Sequence, residues 1–126
     1  MTDETVRPVQ HTPRLVPVVL REEVKDKLLD LEKRDIIKKV TAPTEWISSM
    51  VIVAKPGKIR ICLDRRDLNK VLKRPKYQMA TLEETLPRLV KAKVFSTLDA
   101  KDSFYQIGLD KESSMKTAFW TPLGRY

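Results

Sequence analysis

The sequence predicts an α+β fold, on three observations. An amphipathic helical repeat runs through residues 20–35, an alternating β-hairpin occupies 47–64, and a helix start at 81–84 leads into another strand candidate. In "LREEVKDKLLDLEKRD", Leu20, Val24, Leu28 and Leu31 fall on one helical face. Acids come early in this stretch and bases late, the order that a helix dipole favours.

The hairpin is legible from its turn. "ISSMVIVAK" (47–55) is rich in β-formers, Pro56-Gly57 makes a tight turn with no spare residue, and "KIRICLD" (58–64) alternates strictly. Ile59, Ile61 and Leu63 point one way, and Lys58, Arg60 and Cys62 the other, so the second strand presents a charged face. Residues 1–19 contain Pro8, Pro13 and Pro17 and show little periodicity. They read as an extended lead-in, partly disordered or laid across a neighbouring surface. "TAPTEW" (41–46) is a loop.

After the hairpin, Thr81 and Glu84 stand at capping-box spacing, and Pro87 should bend or shorten the helix they start. "KVFSTL" reads as a strand that ends at Asp99, followed by a turn or short helix in "DSFYQIGL" and by a strand candidate in "MKTAFWT" (115–121). Asp99 and Asp102 have two readings. They are turn formers that bond free backbone N–H groups, or they are carboxylates of a metal site that handles phosphates. Phe104 is read as core packing on its residue type alone. Trp46 and Trp120 read as packing anchors, Cys62 as a small strand residue, and His11 as a solvent-exposed side chain.

Charge narrows the function classes. The 126 residues hold 25 Lys and Arg against 17 Asp and Glu, a net charge of +8. Between Lys58 and Lys76, eight bases stand against two acids, so this short stretch carries most of the excess. It is a solvated face or, given its place on and after a hairpin strand, a phosphate-facing surface. The single Cys62 excludes an internal disulfide, and with the single His11 it is too little for zinc. No apolar run approaches a membrane span and "MTDETVRPVQ" lacks a signal-peptide core, so no membrane partner is expected. The expected location is intracellular, cytoplasmic or nuclear.

Taken in order, "PTEWISSMVIVAKPGKIRICLDRRDLNK", "KVFSTLDAKDSFYQIGLDKESS" and "FWTPLGRY" resemble the reverse transcriptases of gypsy-type LTR retrotransposons, from Pro13 to Tyr126 with closely matching gaps. The resemblance implies an incomplete right-hand polymerase fold within the α+β class. Residues 20–126 would form the fingers, with their β-hairpin and helices, and the first part of an antiparallel palm sheet. The implied activity is magnesium-dependent nucleotidyl transfer from a dNTP to a primer 3′-hydroxyl on an RNA or DNA template.

The resemblance also assigns roles. Asp99 would be the catalytic carboxylate and a magnesium ligand, with the Ala100 carbonyl as a backbone ligand. Arg60, with Lys58, would hold the incoming triphosphate, and the backbone N–H groups at Asp102 and Ser103 would face it. Phe104 would be the sugar gate that excludes a 2′-hydroxyl. Arg66, Lys70, Lys73 and Arg74 would meet the template. Four departures stand out: the short "KPGK" turn, Arg65 where Pro or an aromatic is usual, "KYQMAT", and Asp102-Ser103 where Ser-Gly is common.

The family's Tyr-x-Asp-Asp hairpin lies beyond Tyr126, so the chain is expected to stop before the second catalytic motif. Two-metal catalysis needs ions roughly 3.5–4 Å apart, which one carboxylate cannot hold. Residues 1–126 are therefore expected to be inactive alone. The alternative function is a non-catalytic basic nucleic-acid-binding remnant or a repurposed interaction module. An open sheet edge and apolar patch beside Asp99 are expected to give marginal stability or association.

Overall fold

Helix α1 (Arg21–Lys33) follows a short 3₁₀ turn at Val18–Leu20 and buries the stripe formed by Val24, Leu28 and Leu31. It ends in a Schellman motif. Asp35 turns left-handed at φ 59°, its N–H bonds the Glu32 carbonyl at 3.0 Å, and the Ile36 N–H bonds the Leu31 carbonyl at 2.9 Å. Strands β1 (Ser48–Lys55) and β2 (Lys58–Asp64) then form the hairpin. Helix α2 (Arg66–Val71) and helix α3 (Leu82–Leu89) follow, then a 3₁₀ turn at Ser103–Gln106. Helix α4 (Lys111–Lys116), β3 (Phe119–Thr121) and β4 (Gly124–Arg125) complete the order.

This computed structural model describes residues 5–73 and 76–126. The chain forms two compact units: one comprises residues up to Leu72 together with Gly108–Tyr126, and the other Lys73–Ile107. In the first unit the strands run in the order β2-β1-β3-β4. The β1–β2 and β3–β4 pairs are antiparallel, but β1 and β3 are parallel, with Ser48 opposite Phe119 and Ser49 opposite Trp120. The sheet is thus mixed, not purely antiparallel.

The core lies between α1 and the inner face of this sheet. Val16, Val24, Leu28, Met50, Phe119 and Tyr126 are buried together, with Ile52, Ile59, Ile61 and Leu63 packed against them. Ile59, Ile61 and Leu63 are the positions that the alternation of the second strand turned inward. A second cluster joins Trp46 to Leu68 and Val71 of α2, with Val9 of the lead-in against it. Trp46 is therefore an anchor, as its residue type suggested. Trp120 is only half-buried and lies 5.9 Å from the Arg125 guanidinium. The same guanidinium serves the 40–42 loop: its nitrogens donate to the carbonyls of Val40, Thr41 and Ala42.

The lead-in is laid down over residues 9–16. Gln10 pairs in parallel with Ile47, the His11 N–H bonds the Ile47 carbonyl at 2.9 Å, and Val16 is buried in the main core. Tyr126, whose backbone pairs with Phe119, donates its hydroxyl to Glu32 at 2.9 Å. Burial, then the Glu32 carboxylate, raises this phenol from 10.0 to about 12. The folded state thus holds the proton more tightly, so the contribution is complete below pH 10 and lost as pH rises towards 12. Tyr126→Phe should flatten that part of the stability–pH curve relative to wild type, measured by urea unfolding across this range.

Two secondary-structure expectations fail. Residues 94–98 belong to no strand, and Val94, Phe95 and Leu98 are exposed, Leu98 by 94%. A β-strand exists only by pairing, and no described segment pairs with this one. The exposed apolar surface foreseen beside Asp99 is present, but not as a sheet edge. Met115 and Lys116, expected in a strand, lie in α4, because Asp110 caps the Ser113 N–H at 2.8 Å and starts a helical turn first. In the second unit α3 carries the full capping box between Thr81 and Glu84 and ends two residues beyond Pro87, as expected.

Candidate nucleic-acid interface

The hairpin register fixes its outer face. Lys55 stands opposite Lys58, Val53 opposite Arg60, and Val51 opposite Cys62. Facing residues share a side of the sheet, so Lys55, Lys58 and Arg60 form one cationic tip with Cys62 exposed below them. Pro56 and Gly57 set this tip. Proline holds φ near −65°, and Gly57 turns the chain at φ 70°, a value that glycine adopts without strain. Like charges directly opposed across a strand pair destabilise it. None of the three forms an ion pair with a described residue, so the tip offers its donors outward.

The base of the hairpin behaves differently. The side chain of Asp64 is only 11% exposed and accepts both arms of the Arg66 guanidinium, Nε at 2.9 Å and Nη2 at 2.8 Å. Arg14 from the lead-in reaches the same carboxylate at 3.1 Å. The hydrogen bonds from Arg66, with its charge and that of Arg14, hold the Asp64 carboxyl down at about 2. One turn on, Asp67 accepts Lys70 Nζ at 2.8 Å and meets His11 Nε2 at 3.0 Å. Its carboxyl is also lowered, first by the Lys70 hydrogen bond.

One reading changes here. His11 is not a free solvent side chain but half-buried against Asp67. Arg66 and Lys70, expected at a template, are each engaged by a carboxylate of their own segment. The spacings Asp64-x-Arg66 and Asp67-x-x-Lys70 carried that information, and only the latter is a recognised helical pair. The partners His11 and Arg14, fifty or more positions away in the chain, could not have been read from spacing. Sequence reasoning also passed over Lys55, whose place at the tip follows from the register alone.

The remaining site residues lie in the second unit, apart from Arg74, which falls outside the described residues. Lys73, Asp99 and Ala100 are exposed on irregular backbone. Asp102 takes up the left-handed conformation at φ 51° and precedes the 3₁₀ turn, where the Tyr105 N–H bonds its carbonyl at 2.8 Å. The left-handed residue is thus Asp102 and not its neighbour Ser103. Phe104 is 88% exposed, which removes the core-packing reading for its ring.

A magnesium ion takes one or two carboxylates together with phosphates and water. Asp99 fits as one such donor. Among the described residues no three His, Cys, Asp or Glu side chains converge on a point that could hold a metal. No described helix is long and apolar enough to cross a membrane.

No protein-family model matches the chain. It is 31% identical over 109 residues to the retrovirus-related Pol polyprotein from transposon 297 of Drosophila melanogaster, covering 82% of this chain and 10% of that one. It is 32% identical over 107 residues to a putative enzymatic polyprotein of Cassava vein mosaic virus, covering 85% and 16%. The chain thus spans less than a fifth of the length of these relatives. Its fold matches the foamy viral protease-reverse transcriptase, solved in complex with dsDNA, at a TM-score of 0.73 and 26% identity, over 95% of this chain and 25% of the viral one. By sequence and fold together, the chain is related to a section of the Pol and enzymatic polyproteins of transposons and viruses.

Proposed function

We propose that the chain is the fingers and the start of the palm of a gypsy-type reverse transcriptase, inactive as residues 1–126 alone. In the complete enzyme, Arg60 and Lys58 at the hairpin tip hold the triphosphate of the incoming dNTP, a task suited to the guanidinium fork. Asp99 and the Ala100 carbonyl supply oxygen donors, the backbone at Asp102 and Ser103 lies beside the phosphates, and Phe104 packs under the sugar. Magnesium, when bound, activates the primer hydroxyl and stabilises the leaving pyrophosphate. Lys73 and Arg74, with Arg66 and Lys70, follow the RNA or DNA template. An intracellular location, cytoplasmic or nuclear, accompanies this reading.

The observation that carries it is the cationic tip: three like charges on one hairpin face, at the end of a strand pair whose fold aligns with a reverse transcriptase. A second reading is a basic binding module without chemistry, possessing an apolar surface for association. It draws support from the exposed apolar side chains of Val94, Phe95 and Leu98.

Primer extension on an RNA template separates the two. A chain continued through its downstream coding sequence should extend the primer, and residues 1–126 should not. Failure of the continued chain, with salt-dependent binding retained, would leave the binding module as the function.

A further inference from the structure

Two carboxylates in the basic segment are each shared by two nitrogen-bearing side chains, one from a distant part of the chain. Asp64 holds Arg66 of α2 and Arg14 of the lead-in; Asp67 holds Lys70 of α2 and His11 of the lead-in. The lead-in is fixed independently, by the pairing of Gln10 with Ile47 and by Val16 in the core. Arg14 and His11 are therefore delivered to these carboxylates by the fold and are not chance surface partners.

We propose that Asp64 and Asp67 restrain the basic segment, and that the lead-in side chains of Arg14 and His11 weaken this restraint by competing for the same carboxylates, leaving Arg66 and Lys70 available to a nucleic-acid phosphate backbone. The proposal rests on the reading that this segment meets nucleic acid and adds how its affinity is set.

The physical argument is a matter of charge and geometry. A bidentate guanidinium–carboxylate pair is among the stronger surface pairs, so Arg66 held by Asp64 alone would be a poor phosphate ligand. A second guanidinium on Asp64 Oδ2 divides that oxygen between two donors at 3.1 and 2.8 Å. The Arg14 side chain is half exposed and that of Arg66 is more exposed still. Either can therefore swing to a phosphate while the other keeps the carboxylate paired. Asp64 then never stands as an unpaired carboxylate, and the cluster retains a positive excess.

The sign of two substitutions tests this. Asp64→Asn keeps size and a carbonyl acceptor but removes the charge that holds Arg66. It should tighten binding of the 126-residue chain to a labelled oligo(dT) roughly 3- to 10-fold at about 50 mM salt and raise the salt slope by about 0.7. Arg14→Gln removes a competitor and should weaken binding by a similar factor. A purely architectural role for the pair predicts that both variants lose binding along with thermal stability. Equal losses in the two variants would overturn the proposal. Asp67→Asn is the independent second variant should Asp64→Asn unfold, and it too should tighten binding; weakening in a folded Asp67→Asn chain also overturns it. If the unaltered chain fails to bind oligo(dT) at all, the nucleic-acid reading itself falls, and the proposal with it.

Discussion

In a chain continued through its downstream coding sequence, Asp99→Asn is expected to lower single-turnover primer extension by at least about a thousandfold, because ligands that act as a unit lose most of their catalysis when one is removed. The substitution preserves size and one carbonyl oxygen but takes away the charge that a hard divalent cation requires. Asp99 is exposed on irregular backbone, so the change should leave stability within about 0.5 kcal/mol. Template binding should hold within about twofold, since the cations that meet phosphates are elsewhere. The pattern to look for is thus lost chemistry with intact folding and intact binding. A variant that still extends primers at the unaltered rate would remove Asp99 from the site and leave the motif as a turn.

The parts of this molecule that were legible beforehand are those that local rules determine. The Val24, Leu28 and Leu31 stripe, the alternation from Lys58 to Asp64 and the Thr81–Glu84 box each depend on residues within a few positions of one another, and each forms as read. What was not legible depends on distant partners. Nothing near Ser48 announces that it will pair in parallel with Phe119, and nothing near Arg66 announces Arg14. The misread strand shows the same limit from the other side. Residues 94–98 have strand composition, but composition supplies no neighbour, and the segment stays unpaired among the described residues. Charge counting was coarse at the site for a related reason. It ranked the whole run from Lys58 to Lys76 as one surface, whereas the fold divides it into Lys58 and Arg60 at a tip that Lys55 joins, without ion pairs among the described residues, and a carboxylate-bound base at Arg66 and Lys70.

Leu28→Ala should destabilise the first unit by about 2–5 kcal/mol, the range for deleting a buried leucine side chain. Leu28 is 0% exposed and sits in the cluster that joins α1 to Met50, Phe119 and Tyr126, so the surrounding side chains cannot collapse into the gap without moving sheet and helix together. For a domain whose total stability is of order 5–15 kcal/mol, that loss is a large fraction, and the thermal midpoint should fall by roughly 10 °C. Leu98→Ala is the informative partner. The sequence pattern 94–98 would place Leu98 in a buried strand of equal importance, whereas its side chain lies open to solvent. It should cost less than about 0.5 kcal/mol by urea unfolding. Comparable losses from both substitutions would mean that residues 94–98 pack in solution, most simply against a second molecule, and the midpoint would then rise with protein concentration. A large loss at Leu28 with almost none at Leu98 identifies the α1–sheet interface as what holds this chain folded, and leaves the apolar surface beside Asp99 free for association.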